Sequence, residues 1–232
     1  MPKEPDFKII PQSRVREAIA ERVSTTNREI PQFRFWVEVD ASAMIAWRSQ
    51  RKQAGPAPVP TFNDIIIHVV ARRLREHPRL NAWLTPEGLK SFKQVNVGFA
   101  VATEAGVLLP TIYDADTRGL DEIAAEAREL TEEARAGRLR ATLQMNAGFT
   151  VSNIGPVGID YFDAIISPPQ TGILAVASIK ERPVAREGKV VVRPTMILTL
   201  TVDHRAVDGA DAPPFLTAVQ KDLEAWGAPD ER

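Results

Sequence analysis

The sequence has 232 residues and a nearly balanced charge, with 29 Lys and Arg against 30 Asp and Glu. That balance gives no electrostatic reason to expect a nucleic acid or an anionic membrane surface as a partner. The absence of cysteine excludes disulfides, thiolate metal sites and a cysteine nucleophile. The sequence shows no signal-peptide core and no run approaching about 18 apolar residues, so we expect a cytoplasmic protein without a membrane span.

The chain shows no internal repeat and no low-complexity tract. Residues 1–12 are polar and contain proline, which indicates an N-terminal arm. The proline-rich stretch 55–60 is too short to separate two domains. We therefore predict one domain over residues 13–232.

Helices are predicted where apolar residues recur at intervals of three or four. In chain order they are 14–23, 41–53, 61–76, 120–138 and 210–226. Ser13 is placed to cap the first of them. The helix over 61–76 has a broad apolar face and should be largely buried.

Strands are predicted where apolar residues alternate or where β-branched residues cluster. They lie at 33–39, 95–102, 107–112, 148–153, 171–179 and 195–202, with a hairpin around Glu187. Helices and strands alternate irregularly along the chain. This order favours an α/β domain with a mixed sheet over a doubly wound parallel one.

The last predicted strand leads directly to a histidine, His204, which is followed by Asp208 and Gly209. A histidine held at a strand end beside a carboxylate has the fixed position and the near-neutral titration that a general base needs. We expect Gly209 to let the backbone turn sharply. A structural histidine beside an ordinary turn would give the same pattern, and the pattern alone does not separate the two.

The other two histidines, His68 and His77, share no metal-ligand spacing with His204. We expect both to be structural or exposed, and we predict no metal site. The glycines of 148–158 do not complete a nucleotide-binding loop.

Seven blocks resemble the catalytic domain of the dihydrolipoamide acyltransferases, the core subunits of 2-oxoacid dehydrogenase complexes. They are R-E-A-I-A-E-R-V from Arg16, V-N-V-G-F-A-V-A-T from Val95, G-V-L-L-P from Gly106, F-T-V-S-N-I-G from Phe149, S-P-P-Q-T-G-I-L-A-V from Ser167, E-R-P-V from Glu181 and D-H-R-A-V-D-G from Asp203. Chloramphenicol acetyltransferases share only the last block. The resemblance implies a two-layer α/β sandwich with a mixed β-sheet, the chloramphenicol acetyltransferase-like fold of coenzyme A-dependent acyltransferases.

The resemblance also implies an activity, the movement of an acyl group between coenzyme A and a dihydrolipoyl thiol. His204 would be the general base, Ser152 would donate to the oxyanion, and Asp208 would organise the loop through an arginine. The candidates for that arginine, among which the sequence does not choose, are Arg16, Arg22 and Arg205. The family's active site lies between subunits of a trimer, so His204 and Ser152 are expected to come from different chains.

Coenzyme A, as acyl-CoA substrate or product, requires a cation for its diphosphate and hydrogen-bonding groups for its pantetheine. The positions that match contacts in related enzymes are Arg48, Thr61, Ser152 and Asn153. No segment resembles a lipoyl domain, so the lipoyl group is expected on a separate lipoyl-carrying protein, with 2-oxoacid dehydrogenase components as possible partners.

The C-terminal residues 227–232 are polar, whereas the family's large cores use an apolar tail to join trimers. A polar tail is costly to bury, so we predict a homotrimer that assembles no further. Two other functions stay open: transfer from acyl-CoA to a small amine or alcohol, and a non-catalytic trimeric scaffold. The acyl group is left undetermined.

Overall fold

The structure is a computed structural model that describes residues 5–227. It contains all five predicted helices, and the first extends six residues beyond its predicted end. The helices are α1 (Arg14–Glu29), α2 (Ser42–Gln53), α3 (Phe62–Leu74), α4 (Leu120–Arg135) and α5 (Ala212–Glu224). Ser13 caps α1 as predicted, since its hydroxyl accepts a hydrogen bond from the Arg16 N–H at 3.3 Å.

Eleven strands are present in the described part of the chain. They are β1 (Gln32–Asp40), β2 (Ala82–Thr85), β3 (Gly88–Ser91), β4 (Val97–Phe99), β5 (Val101–Thr103), β6 (Gly106–Leu108), β7 (Thr111–Ile112), β8 (Phe149–Asn153), β9 (Gly172–Val176), β10 (Lys180–Arg186) and β11 (Lys189–Asp203). The hairpin predicted around Glu187 joins β10 to β11.

The main sheet has the order β1-β11-β9-β8-β4-β7, and β10 extends it along β11. β8 runs parallel to β4 and to β9, and the remaining pairs are antiparallel. The sheet is therefore mixed, as predicted. Its buried apolar face packs against α3, α4 and α5 in one continuous core, which gives a layer of helices on a layer of strands.

The opposite face of the sheet is partly covered by an irregular segment, 159–169. Ile173 and Ala175 of β9 form a second, small apolar cluster with Ala164 and Ile166 of that segment. The outward threonines of β11 are buried beside it. Both faces of the sheet centre are thus held in place, so the ends of its strands are rigid points from which side chains can project.

The sequence predictions fail where proline interrupts the pattern. The strand predicted over 107–112 is divided into β6 and β7 around Pro110, which lacks an N–H for the ladder. The β2–β3 hairpin was not predicted, although Pro86 and Gly88 are typical turn residues. Gly88 has φ of +125°, a conformation that favours glycine.

The N-terminal arm predicted over 1–12 falls partly outside the described residues, at 1–4. Its described portion, residues 5–12, is exposed and contains no helix or strand. Within residues 5–227, no helix has the length and apolar character needed to cross a membrane.

His68 lies on α3 with its Nδ1 buried and without a hydrogen-bond partner among the described residues. Its ring is edge-on to Trp226, with the ring centroids 6.0 Å apart. Burial lowers the pKa of His68 below its usual 6.5, because a desolvated ring resists becoming charged, and Arg72 acts in the same direction.

Because the pKa of His68 is lower in the folded state, His68 binds a proton more readily in the unfolded chain. The free energy of unfolding should therefore fall as the pH drops below about 6.5, and His68→Phe should remove part of that fall. Urea unfolding of both proteins at pH 7.5 and pH 5.5, at equal protein concentration, measures the effect. Identical pH dependence of the wild type and His68→Phe would contradict it.

Candidate active site

The position of His204 is set by the pairing of β1 with β11. These strands pair over nine residues, ending with Gln32 opposite Asp203. His204 follows at once, and its backbone N–H donates to the Pro31 carbonyl at 3.0 Å. Its side chain is exposed, and its ring stacks on Phe33 with the centroids 4.8 Å apart and the planes 11° apart. The predicted delivery of this histidine by a strand end is confirmed.

Asp203, directly before the histidine, is buried and forms a two-pronged ion pair with Arg205. Arg205 donates from Nε to Oδ1 at 2.9 Å and from Nη2 to Oδ2 at 2.7 Å. The Asp203 carboxylate raises the pKa of Arg205. The Asp203 carbonyl also accepts from the N–H groups of Ala206 and Val207. The residues on both sides of His204 are thus clamped together.

Asp208 is exposed and organises the turn into α5. Its Oδ1 accepts from the Ala210 N–H at 2.7 Å, and its carbonyl accepts from Asp211 and Ala212. The Ala210 N–H lowers the pKa of Asp208 below its usual 3.8, and the charges of Arg79 and His204 act in the same direction. Asp208 is therefore a carboxylate at neutral pH, suited to ordering a loop rather than accepting a proton.

None of the three arginines suggested by the sequence forms a salt bridge with Asp208 among residues 5–227. Arg205 pairs with Asp203 instead, and Arg22 donates to the Ser167 hydroxyl and the Pro168 carbonyl. The nearby cation is Arg79, which donates to the Ala206 carbonyl at 3.0 Å. Arg79 also lies 3.6 Å from Asp211. Sequence reasoning missed Arg79, because nothing local links the segment after α3 to the histidine.

The backbone does turn at Gly209, as expected, but the turn does not use the conformational freedom of glycine. Its φ lies outside the left-handed region, and a Cβ added there would meet nothing within 4 Å. The turn is made instead by the Asp208 carboxylate and carbonyl, which collect the N–H groups at the start of α5. Within one chain, this position does not require glycine.

A second group of predicted residues meets around the end of β8 and the start of α3. Ser152 is half-buried near the end of β8. Its neighbour Asn153 donates from Nδ2 to Oδ1 of Asn63 at 3.2 Å and accepts the Gly155 N–H at 2.8 Å. Asn63 was missed as a site residue, although it stands in the T-F-N-D segment that begins α3.

Arg48 and Thr61 belong to the same group but already have structural contacts. Arg48 donates from Nε to the Pro60 carbonyl at 2.7 Å and lies over the Phe62 ring, 4.4 Å from its centroid. Thr61 caps α3 by accepting from the Asp64 N–H, and Asp64 accepts from the Thr61 N–H in return. The helix start therefore presents a fixed cation, Arg48, which is suited to an anion, while the Asp64 carboxylate offsets the positive end of α3.

The two groups are far apart within one chain. Ser152 lies level with Ala175 of β9, which lies level with Thr199 of β11, and His204 follows five residues later. With strands about 4.8 Å apart and a rise of about 3.3 Å per residue, the two α-carbons are about 19 Å apart. The base and the hydroxyl of one chain therefore cannot act on the same atom.

Among residues 5–227, no three His, Asp or Glu side chains are grouped as a metal site would require.

Comparison with known proteins gives a consistent result. The family model of the 2-oxoacid dehydrogenases acyltransferase (catalytic domain) matches residues 4–229. Component 3 of the dihydrolipoyllysine-residue acetyltransferase of the mitochondrial pyruvate dehydrogenase complex of Arabidopsis thaliana is 36% identical over 225 residues. The match covers 94% of this chain and 42% of the relative. The chain spans about half the length of the curated relatives it matches.

Solved structures agree with the sequence relatives. The dihydrolipoamide acetyltransferase of Azotobacter vinelandii is 30% identical, with a TM-score of 0.88 over 97% of each chain. A chain of the cubic core of the pyruvate dehydrogenase multienzyme complex gives the same values. A chloramphenicol acetyltransferase is 18% identical with a TM-score of 0.52, which shows a shared fold. The expected chloramphenicol acetyltransferase-like sandwich with a mixed sheet is therefore confirmed.

The ion pair beside the histidine yields a stability prediction. Asp203→Asn should lower the free energy of unfolding by about 1.5–3 kcal/mol, the contribution of a hydrogen bond to a charged group. Asp160→Asn is the matched control, because Asp160 is exposed and its contacts with Lys180 and Arg182 are screened by water. Urea unfolding measures both variants. Equal stabilities of Asp203→Asn and the wild type would contradict the prediction.

Proposed function

This chain belongs to the acyltransferase family of the 2-oxoacid dehydrogenases (catalytic domain), and we propose that it moves an acyl group between coenzyme A and a dihydrolipoyl thiol. One observation carries the proposal. The roles of a serine, a histidine and an asparagine in the catalytic mechanism of the Azotobacter vinelandii acetyltransferase have been investigated, and these three have separations of 52 and 4 residues. Ser152, His204 and Asp208 have the same separations here, with aspartate in place of asparagine.

His204 is the proposed general base. Its backbone is fixed by β11 and Pro31, while its ring is exposed to an incoming thiol. A neutral imidazole takes the thiol proton as the sulfur attacks the carbonyl of the acyl thioester. The attack forms the new carbon–sulfur bond and puts negative charge on the carbonyl oxygen. Collapse then breaks the old carbon–sulfur bond, and the protonated imidazole returns the proton to the departing thiolate.

Ser152 is the proposed donor to that negatively charged oxygen. A hydroxyl is suited to the task because its O–H can donate as the charge develops, and donors of this kind act most strongly where water is excluded. Ser152 is half-buried on a strand with β4 and β9 on either side, so its position is well fixed. Asp208 would act indirectly, by ordering the turn after the base.

The separation of about 19 Å between the two groups supports a site shared by two subunits. In a homotrimer, the His204 surface of one subunit would face the Ser152 surface of the next, and the same contact would repeat three times. The absence of assembly beyond the trimer stays a prediction. That prediction was based on the polar tail 227–232, of which residues 228–232 lie outside the described residues.

We propose that coenzyme A binds the cluster of residues at the start of α3 and the end of β8. The guanidinium of Arg48 favours the negative diphosphate, and Thr61 and Asn153 offer polar contacts. Ser152, the neighbour of Asn153, lies on the path that the pantetheine thiol would take toward the base. Arg48 is held by Pro60 and Phe62, so little of its freedom remains to be lost when an anion binds.

The thiol acceptor and the wider partners are part of the same proposal. The lipoyl group would be supplied by a separate lipoyl-carrying protein, and 2-oxoacid dehydrogenase components would supply the acyl group. The Arabidopsis thaliana relative named above supports this, since it is a component of the pyruvate dehydrogenase complex. A cytoplasmic location and the lack of nucleic-acid or membrane partners stay predictions from the sequence.

The test is to incubate the purified protein with acetyl-, isobutyryl- or succinyl-CoA and free dihydrolipoamide. We expect turnover with at least one donor. His204→Ala should lower kcat by about 10²–10⁴, the usual contribution of a general base. Ser152→Ala should lower it by about 10²–10³. Ser91→Ala, an exposed serine on β3, is the control and should retain wild-type activity.

Other outcomes identify the alternatives. Turnover only after a small amine or alcohol is added would replace the lipoyl acceptor with a small molecule. No turnover with any acceptor would favour a trimeric scaffold without activity. Full activity of His204→Ala would contradict the mechanism itself.

A further inference from the structure

The proposed base stands at the end of a row of three aromatic rings. Phe35 packs against the hydrophobic core from β1. Phe33 packs against Phe35, with the ring centroids 4.6 Å apart and the ring planes tilted by 59°. His204 stacks nearly parallel on Phe33, at 4.8 Å and 11°. The three rings form a continuous contact from the core to the imidazole.

The backbone fixes the two ends of this row relative to one another. Phe33 lies directly opposite Val202 in the β1–β11 ladder, and His204 follows two residues after Val202. The His204 N–H is bonded to the Pro31 carbonyl, two residues before Phe33. Phe33 stands on β1, and His204 directly follows the last residue of β11 with its N–H bonded, so the backbone fixes the stacked arrangement of the two rings.

Core packing does not account for Phe33, which is 42% exposed. Burial of half a ring contributes less to folding than a buried aromatic does. Among residues 5–227, no hydrogen bond reaches a ring nitrogen of His204. The stacked face of Phe33 is therefore the contact that limits rotation of the imidazole.

We propose that Phe33 is a positioning residue, whose ring holds the plane of the His204 imidazole. The stack covers one face of the imidazole and leaves its edges, where the nitrogens lie, open to a thiol. The importance of Phe33 for catalysis rests on the proposed function, whereas its hold on the ring does not.

The hold on the ring is tested without any turnover. The protein has three histidines, so selective isotope labelling gives few signals, and His204→Asn identifies those of His204. We expect the ring-current shift of the His204 protons to disappear in Phe33→Leu and to persist in Phe33→Tyr. Trp36→Leu is the control, since this exposed residue of β1 points away from Phe33's face of the sheet. Unchanged His204 signals in Phe33→Leu would overturn the proposal.

Kinetics test the consequence for the reaction. Phe33→Leu should lower kcat roughly two- to tenfold, the effect of losing one aromatic pair, with KM for both substrates unchanged. Phe33→Tyr should restore kcat, because it restores the ring. A raised KM for the thiol with unchanged kcat would make Phe33 a substrate contact instead, and would overturn a positioning role. Absence of wild-type turnover would count against the proposed function alone, and the signals of His204 would still decide the role of Phe33.

Discussion

The candidate site depends on one constraint above all, the nine-residue antiparallel ladder between β1 and β11. This pairing places the Pro31 carbonyl under the His204 N–H and brings Phe33 beneath the imidazole. A one-residue slip would turn every side chain of β1 to the other face of the sheet, so the register is as important as the residues. It is protected by burial, because alternate β11 side chains from Met196 to Val202 are core residues.

Local polar contacts then refine what the ladder positions. The buried Asp203 carboxylate must be paired, because an unpaired buried charge is costly, and its partner Arg205 lies just beyond the histidine. The ion pair between Asp203 and Arg205 therefore stabilises the end of β11 and the position of His204 together. Asp208 has a different part, since it is exposed and gathers N–H groups at the start of α5. The carboxylates on the two sides of His204 thus order structure, and the imidazole is left as the base of the proposed reaction.

Most elements could be predicted from the sequence because their signals are local. The helices follow from apolar periodicity, and the strand leading to His204 follows from its β-branched run. Arg79 and Asn63 could not be found in this way, because they reach the site through contacts across the fold. The role expected of Gly209 was wrong for a related reason: a glycine after an aspartate is a typical turn signal, yet hydrogen bonds to the side chain and carbonyl of Asp208 stabilise this turn. The family resemblance identified Ser152, which its own surroundings would not have singled out.

The central claim is that each site combines His204 of one subunit with Ser152 of its neighbour, because one chain holds them about 19 Å apart. The most direct measurement mixes His204→Ala with Ser152→Ala subunits in equal amounts and allows trimers to form from both. Random mixing gives about one quarter of the sites an intact histidine and an intact serine, so about one quarter of wild-type activity should return. A site built within one chain would contain a defect in every subunit. Activity of the mixture no higher than that of the two variants alone would contradict the account.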